Sequence, residues 1–78
     1  MKLRNDFGKR VKIDSLKYRD IMALQSRIEE ALSNGGVPVV QHFNRDQHLE
    51  ATVEIAMRHR LTIILNPKQT ECGFRRHF

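Results

Sequence analysis

The stretch at residues 37–65, VPVVQHFNRDQHLEATVEIAMRHRLTIIL, decides the fold, because it reads as strand, helix and strand with almost no linker. Asn44 is suited to cap a helix, and Gln47 follows at the spacing from which a side chain reaches back to the cap's own N–H. An apolar stripe then repeats at helical spacing: Leu49, Thr52, Val53, Ala56 and Met57. Such a helix, about 22 Å long, matches a six-residue strand of about 20 Å. The pattern predicts a right-handed βαβ crossover between two parallel strands.

The two strands of this unit differ in their expected surroundings. Residues 61–65 are nearly all apolar, as in a strand that is buried on both faces. The earlier strand contains Pro38, which cannot donate to a ladder and therefore marks either a sheet edge or the first residues of a strand.

The first third of the chain predicts a similar unit. Residues 8–14 alternate, with Val11 and Ile13 on one face and basic side chains on the other. Asp14 or Ser15 then caps a first helix that ends at residues 34–36, where two glycines permit a left-handed turn. Its buried face is expected to consist of Leu16, Ile21, Leu24, Ile28, Ala31 and Leu32.

The end of the chain predicts a fourth strand. Residues 66–69, NPKQ, are typical of a turn, and residues 70–78 return antiparallel with Cys72 and Phe74 inward and His77 outward. The fold class is therefore α/β, of the α+β two-layer sandwich type, with β-α-β-α-β followed by a C-terminal strand and both helices on one face of a small sheet. Residues 1–7 are interpreted as a flexible arm and residues 8–78 as a single domain.

This order of elements resembles three families: the C-terminal domain of translation initiation factor three, the Alba chromatin proteins and the small sulfur carriers of the TusA type. The resemblance covers most of the chain as an order of elements. Where the sulfur carriers have a Cys-Pro pair at the start of the first helix, this chain has Leu16-Lys17-Tyr18. A sulfur-carrier-like role would therefore have to use Cys72, and it ranks third among the functions considered.

Charge is distributed unevenly along a basic chain. The formal net charge is +5; residues 1–20 and 58–78 each carry about +4, whereas residues 21–57 carry about −3. Basic ends of this kind attract nucleic acid or an acidic protein surface. A lone cysteine indicates a reducing compartment, and no apolar run indicates a signal peptide or a membrane span. The chain is therefore expected to be cytoplasmic, and a small core makes a homodimer a further candidate arrangement.

Catalytic and metal-binding patterns are weak. The histidines and Cys72 do not occur at the close, paired spacing of zinc ligands, so no metal or cofactor is expected. Cys72 and His77 would point to opposite faces of one strand, which does not suit a nucleophile and its base. The carboxylates of the second helix suit a solvated surface. We therefore expect a protein that is not an enzyme.

Basic side chains are the best functional candidates. We expect RNA or DNA phosphates to be contacted by the first strand, the turn, the tail and the end of the second helix, through Lys9, Arg10, Lys12, Arg58, Arg60, Lys68, Arg75 and Arg76. The alternative is a regulatory or inhibitory module that docks on a protein through its charged surface or a sheet edge.

Overall fold

The computed structural model describes residues 8–76 and has the predicted order of elements. The strands are β1 (Arg10–Asp14), β2 (Val37–Gln41), β3 (Leu61–Leu65) and β4 (Glu71–Arg76), and the helices are α1 (Ile21–Ser33) and α2 (Arg45–His59). A single 3₁₀ turn, Ser15–Lys17, follows β1. The fourth strand is thus confirmed, whereas the arm at residues 1–7 and the expected position of His77 lie outside the described residues.

The four strands form one mixed sheet in the order β1-β2-β4-β3. β1 and β2 are parallel neighbours, as expected for strands joined by a helix, and β4 is antiparallel to both β2 and β3. β2 and β3 therefore run in the same direction, as predicted, but β4 separates them. The inner position of β4 has a clear cause, since Cys72 and Phe74 are almost fully buried there.

Both helices cover the same face of the sheet, which confirms the two-layer sandwich. Every strand contributes to the layer between sheet and helices, with the innermost residues on β1, β2 and β4 and the partly buried residues of β3 packed against them. The buried cluster consists of Ile13, Leu24, Ile28, Ala31, Val40, Phe43, Ile55, Ala56, Cys72 and Phe74.

The predicted start of the first helix is wrong. The Asp14 side chain accepts from the Leu16 N–H at 3.0 Å, but it caps only the 3₁₀ turn, after which Tyr18 is extended. α1 begins six residues later, where the Asp20 side chain accepts from the Ala23 N–H at 2.9 Å. Leu16 therefore lies outside the helix and is 73% exposed instead of buried.

The predicted end of α1 is confirmed. Gly35 has a φ of +79°, and the Gly36 N–H donates to the Ala31 carbonyl at 2.9 Å while the Gly35 N–H donates to Leu32 at 3.0 Å. These are the two hydrogen bonds of a Schellman motif. They turn the chain directly into β2.

The start of α2 is confirmed at Asn44, whose side chain accepts from the N–H groups of Asp46 and Gln47. The reciprocal contact is made by a different residue from the one predicted. His48, rather than Gln47, accepts the Asn44 N–H, with a distance of 3.0 Å to Nδ1.

The predicted apolar stripe of α2 is partly wrong. The residues buried against the sheet are Ala51, Thr52, Ile55 and Ala56, whereas Met57 is 75% exposed and Val53 is also exposed. Thr52 tolerates burial because its hydroxyl donates to carbonyls one turn back in the same helix. The true buried face is centred on Ile55.

Residues 61–65 were predicted to be buried on both faces, and this prediction is wrong. β3 is an edge strand whose residues alternate, so Ile64 is 48% exposed instead of buried. β2 is interior, and its ladder with β4 begins only at Val39. Pro38 thus lies opposite Val11 of β1 but before the segment paired with β4, where its missing N–H costs no bond of the β2–β4 ladder.

Candidate nucleic-acid interface

The sheet face opposite the helices is open and is organised in three rows. The register places alternate residues of neighbouring strands side by side. The first row contains Arg10, Val37, Thr62 and Arg75; the second contains Lys12, Val39, Ile64 and Gly73; and the third contains Asp14, Gln41 and Glu71. Positive charge therefore lies in the first two rows and negative charge in the third.

Five cations meet at one end of the sheet, which we call the basic end: Lys9, Arg10, Arg60, Arg75 and Arg76. They meet because β1 and β3 begin at this end and β4 finishes there. All five are exposed. Within residues 8–76, none of them forms an ion pair with a carboxylate. Their charge is therefore available to an external anion.

The remaining predicted cations lie elsewhere. Lys12 is one row further along the open face and continues the basic end along β1. Lys68 lies in the β3–β4 turn, at the opposite end of the sheet. Arg58 lies on α2, where its guanidinium is 3.7 Å from Glu29 and 3.9 Å from Glu54. The structure thus brings six of the eight predicted residues to one region and leaves two apart.

The acidic row was missed in the sequence. Asp14 and Glu71 are separated by 57 positions in the chain, yet each lies beside Gln41 in the sheet. The side chain of Asp14 is already held by the Leu16 N–H and by His42, and these contacts hold its pKa below the usual value. Nothing in the local sequence signals this pairing, because it depends on the insertion of β4 between β2 and β3.

Two further cations extend the line of charge beyond β1. Lys17 and Arg19 were expected to lie on the first helix, but they follow β1 in the 3₁₀ turn and the linker and are exposed. Along the chain, Lys9, Arg10 and Lys12 of the β1 region are thus followed, after Asp14, by two further exposed cations. The sequence could have indicated these two residues as binding candidates, because they follow directly after a basic strand.

The centre of the open face is apolar but not aromatic. Val37, Val39, Ile64 and Gly73 line a shallow groove of about 220 Å³. A Cβ added at Gly73 would meet only the Ile64 carbonyl oxygen, at 3.8 Å. No aromatic side chain of the described strands points to this face, because Phe74 points into the core. This face is therefore suited to contact a backbone and unsuited to stack on bases.

Cys72 is not presented to solvent. Its side chain is fully buried, and burial raises the pKa of its thiol to about 11. A thiol in this state is protonated at neutral pH and is a poor nucleophile. These properties do not favour a sulfur-carrier role, and His77 lies outside the described residues.

The histidines are distributed over separate places. His42 contacts Asp14, His48 contacts the backbone of Asn44, and His59 Nε2 lies 2.6 Å from Glu29 Oε2 between the two helices. Within residues 8–76 there is no group of three or more His, Cys, Asp or Glu side chains arranged to hold a metal ion.

Comparison with models of known families, with curated proteins and with solved structures gives no significant match for this chain. In the described part of the chain, no helix has both the length and the apolar character needed to cross a membrane.

Proposed function

We propose that this chain is a small, non-enzymatic, cytoplasmic nucleic-acid-binding protein that contacts phosphates through its basic end and the adjoining edge of β1. The observation that supports the proposal is that five cations lie along one end of a four-stranded sheet and form no ion pair with any carboxylate of residues 8–76. Arginine and lysine side chains in such a cluster neutralise phosphates and release condensed counterions, which supplies sequence-independent affinity.

The acidic row gives the bound strand a preferred location. Asp14 and Glu71 at the far end of the open face repel phosphates, whereas Arg10 and Arg75 in the first row attract them. The backbone is therefore expected to cross the basic end and follow the edge of β1 along Lys9, Arg10 and Lys12. Where it continues past Asp14, the repulsion is reduced because that carboxylate is already bonded to His42 and the Leu16 N–H and has Lys17 beside it. Because the open face has no aromatic platform among the described residues, this contact fixes position and does not read sequence.

The open face also supports a second candidate function, docking on a protein as a regulatory or inhibitory module. Its apolar centre at Val37, Val39 and Ile64 is flanked by opposite charges, an arrangement typical of a protein interface. Both β1 and β3 are edge strands that could extend a partner's sheet. Two copies stacked in opposite directions would place the first row of each against the acidic row of the other.

Fluorescence anisotropy tests the proposal with labelled single-stranded RNA, duplex RNA and duplex DNA over a series of salt concentrations. Each phosphate contact contributes about 0.7 to the logarithmic salt slope for a single strand and about 0.9 for a duplex. Contact by the whole basic end therefore predicts a slope of about 3.5 to 4.5. Absence of binding to all three probes at low salt would overturn the proposal and favour the protein-docking function.

A matched pair of double variants tests the location. Arg10→Ala/Arg75→Ala removes two cations from the first row, and Arg45→Ala/Lys68→Ala removes two exposed cations from the opposite end. Both lower the net charge equally. We expect the first variant to lower the salt slope by about 1.4 to 1.8 and the second to leave it nearly unchanged. Equal losses in both variants would show that net charge, rather than the basic end, governs binding.

A further inference from the structure

A crevice lies between the carboxyl ends of β1 and β2 and the beginnings of the two helices. It encloses about 440 Å³, within the range of small-ligand sites. One wall is apolar and is formed by Leu16, Tyr18, Ile21 and Leu24. The rest of the lining is mainly polar and consists of Ser15, Arg19, Asp20, His42, Asn44, Gln47 and His48. The crevice is distinct from the basic end, since it lies at the other end of the strands.

The hydrogen bonds of His42 determine what its ring offers to the crevice. His42 Nδ1 lies 2.8 Å from Asp14 Oδ1. Asp14 is ionised, since the Leu16 N–H and His42 hold its pKa low, so the proton of this contact belongs to Nδ1. In the neutral ring, Nε2 is then a hydrogen-bond acceptor. The residue has a φ of +55°, a left-handed conformation that is uncommon outside glycine.

His48 offers a hydrogen-bond donor, whereas His42 offers an acceptor. Its Nδ1 accepts the Asn44 N–H at 3.0 Å, so the proton of the neutral ring is on Nε2, which is a donor. Burial lowers the pKa of His48 and favours this neutral form. The ring is also fixed in place against Phe43, with 5.7 Å between ring centroids. When both rings are neutral, one acceptor and one donor are therefore available from two residues that line the same crevice.

A nucleobase fits this combination of shape and polarity. Its flat, apolar faces suit the wall that contains Tyr18. Its edge carries adjacent hydrogen-bond donors and acceptors, which suit the two imidazoles. A base inside a duplex cannot enter, because its edge and faces are already occupied. Lys12 lies on β1, and beyond Asp14 the exposed Lys17 and Arg19 follow at the crevice end, where Arg19 is part of the crevice lining. Cations are therefore present on both sides of Asp14.

We propose that the crevice binds one unpaired nucleobase of a single-stranded nucleic acid whose phosphates follow β1. This inference rests on the proposed function and narrows it to single strands. Stacking and edge contacts to one base are worth about 1–3 kcal/mol, which corresponds to about a 5- to 150-fold gain in affinity over phosphate contact alone.

The test compares two single-stranded probes of eight nucleotides, one complete and one in which every nucleotide is abasic. Both carry the same phosphates, so their salt slopes are expected to agree. The complete probe is expected to bind about 5- to 150-fold more tightly. Equal affinities would overturn the crevice assignment and leave the proposed function intact, whereas failure of both probes to bind would overturn both.

Two variants test whether the difference in affinity between the complete and the abasic probe arises in the crevice. Tyr18→Leu keeps an apolar wall but removes the ring. His42→Asn tolerates the left-handed backbone but is too short to place an acceptor at the position of the imidazole Nε2. Each is expected to lower affinity for the complete probe by at least about 3-fold and to leave the abasic probe unchanged. Met22→Ala, an exposed position of α1 that is next to the crevice residue Ile21 but outside the crevice lining, serves as the control. If Tyr18→Leu and Met22→Ala affect the complete probe equally, the base does not bind in the crevice.

Discussion

Arg60 ends α2 in the left-handed conformation that glycine most often occupies. Its φ is +55° and its N–H donates to the carbonyls of Ala56 and Met57. A side chain with a Cβ is strained there by about 1 kcal/mol. The chain thus keeps a cation at the basic end at some cost in stability, which is typical of residues with a functional role.

Arg60→Gly is therefore expected to separate stability from binding. The free energy of unfolding, measured by urea denaturation, should stay the same or rise by up to about 1 kcal/mol, because glycine relieves the strain. Affinity for nucleic acid should fall, and the salt slope should decrease by about 0.7 to 0.9. A loss of stability together with unchanged affinity would contradict the role assigned to Arg60.

His48 couples the protonation of the chain to its folding. Burial lowers the pKa of His48 from its usual 6.5, and protonation of Nδ1 would break the contact with the Asn44 N–H. The unfolded chain therefore takes up a proton at this residue before the folded chain does. The stability that this residue contributes is complete above about pH 6.5 and is lost as the pH falls below it.

Urea denaturation at pH 8 and pH 5.5 checks this coupling. The free energy of unfolding should decrease at the lower pH, and His48→Gln should reduce that decrease because glutamine accepts the Asn44 N–H without titrating. The same pH dependence in both proteins would show that His48 is not responsible.

α2 has its buried face centred on Ile55, which gives a direct contrast between positions on one helix. Ile55 is fully buried and Met57 is 75% exposed, although both are large apolar residues on the same helix. Ile55→Ala should lower the free energy of unfolding by about 2–5 kcal/mol, and Met57→Ala should change it by less than about 0.5 kcal/mol. Comparable losses at the two positions, measured by urea denaturation, would contradict the observed orientation of α2.

The elements themselves could be predicted because their signals are local. Asn44 caps α2 and Gly35 ends α1 through contacts within a few residues, and the turn at residues 66–69 is fixed by the side chain of Asn66, which accepts the N–H groups of Thr70 and Glu71. The start of α1 was misplaced because Asp14 and Asp20 both have the chemistry of a cap. Local sequence does not show that Asp14 caps one turn only.

The order of the strands could not be predicted, and the candidate site depends on it. β4 pairs with β2 as well as with β3, so Arg75 lies in the same row as Arg10 and Glu71 lies beside Gln41. Local patterns carry no information on such pairings. For the same reason, Lys68 was expected near the basic strand although it lies at the opposite end of the sheet.

At the scale of the whole molecule, the charged groups are separated along the strands. The basic end, the apolar centre of the open face and the acidic row follow one another over a single small sheet. The crevice lies beyond the acidic row, between the sheet and the helix layer. A single-stranded nucleic acid that binds this molecule is therefore expected to run along β1. The cations Lys9, Arg10, Lys12, Lys17 and Arg19 follow one another along this part of the chain.

Nuclear magnetic resonance titration of the ¹⁵N-labelled protein with a short single-stranded oligonucleotide tests this placement most directly. Amide shift changes should be concentrated at residues 9–12, 17–19, 60–62 and 75–76, with smaller changes at residues 53–57 of α2 and at the turn of residues 66–69. Changes concentrated on α2 or at the turn, with the basic end unaffected, would contradict the claim that nucleic acid binds at the basic end.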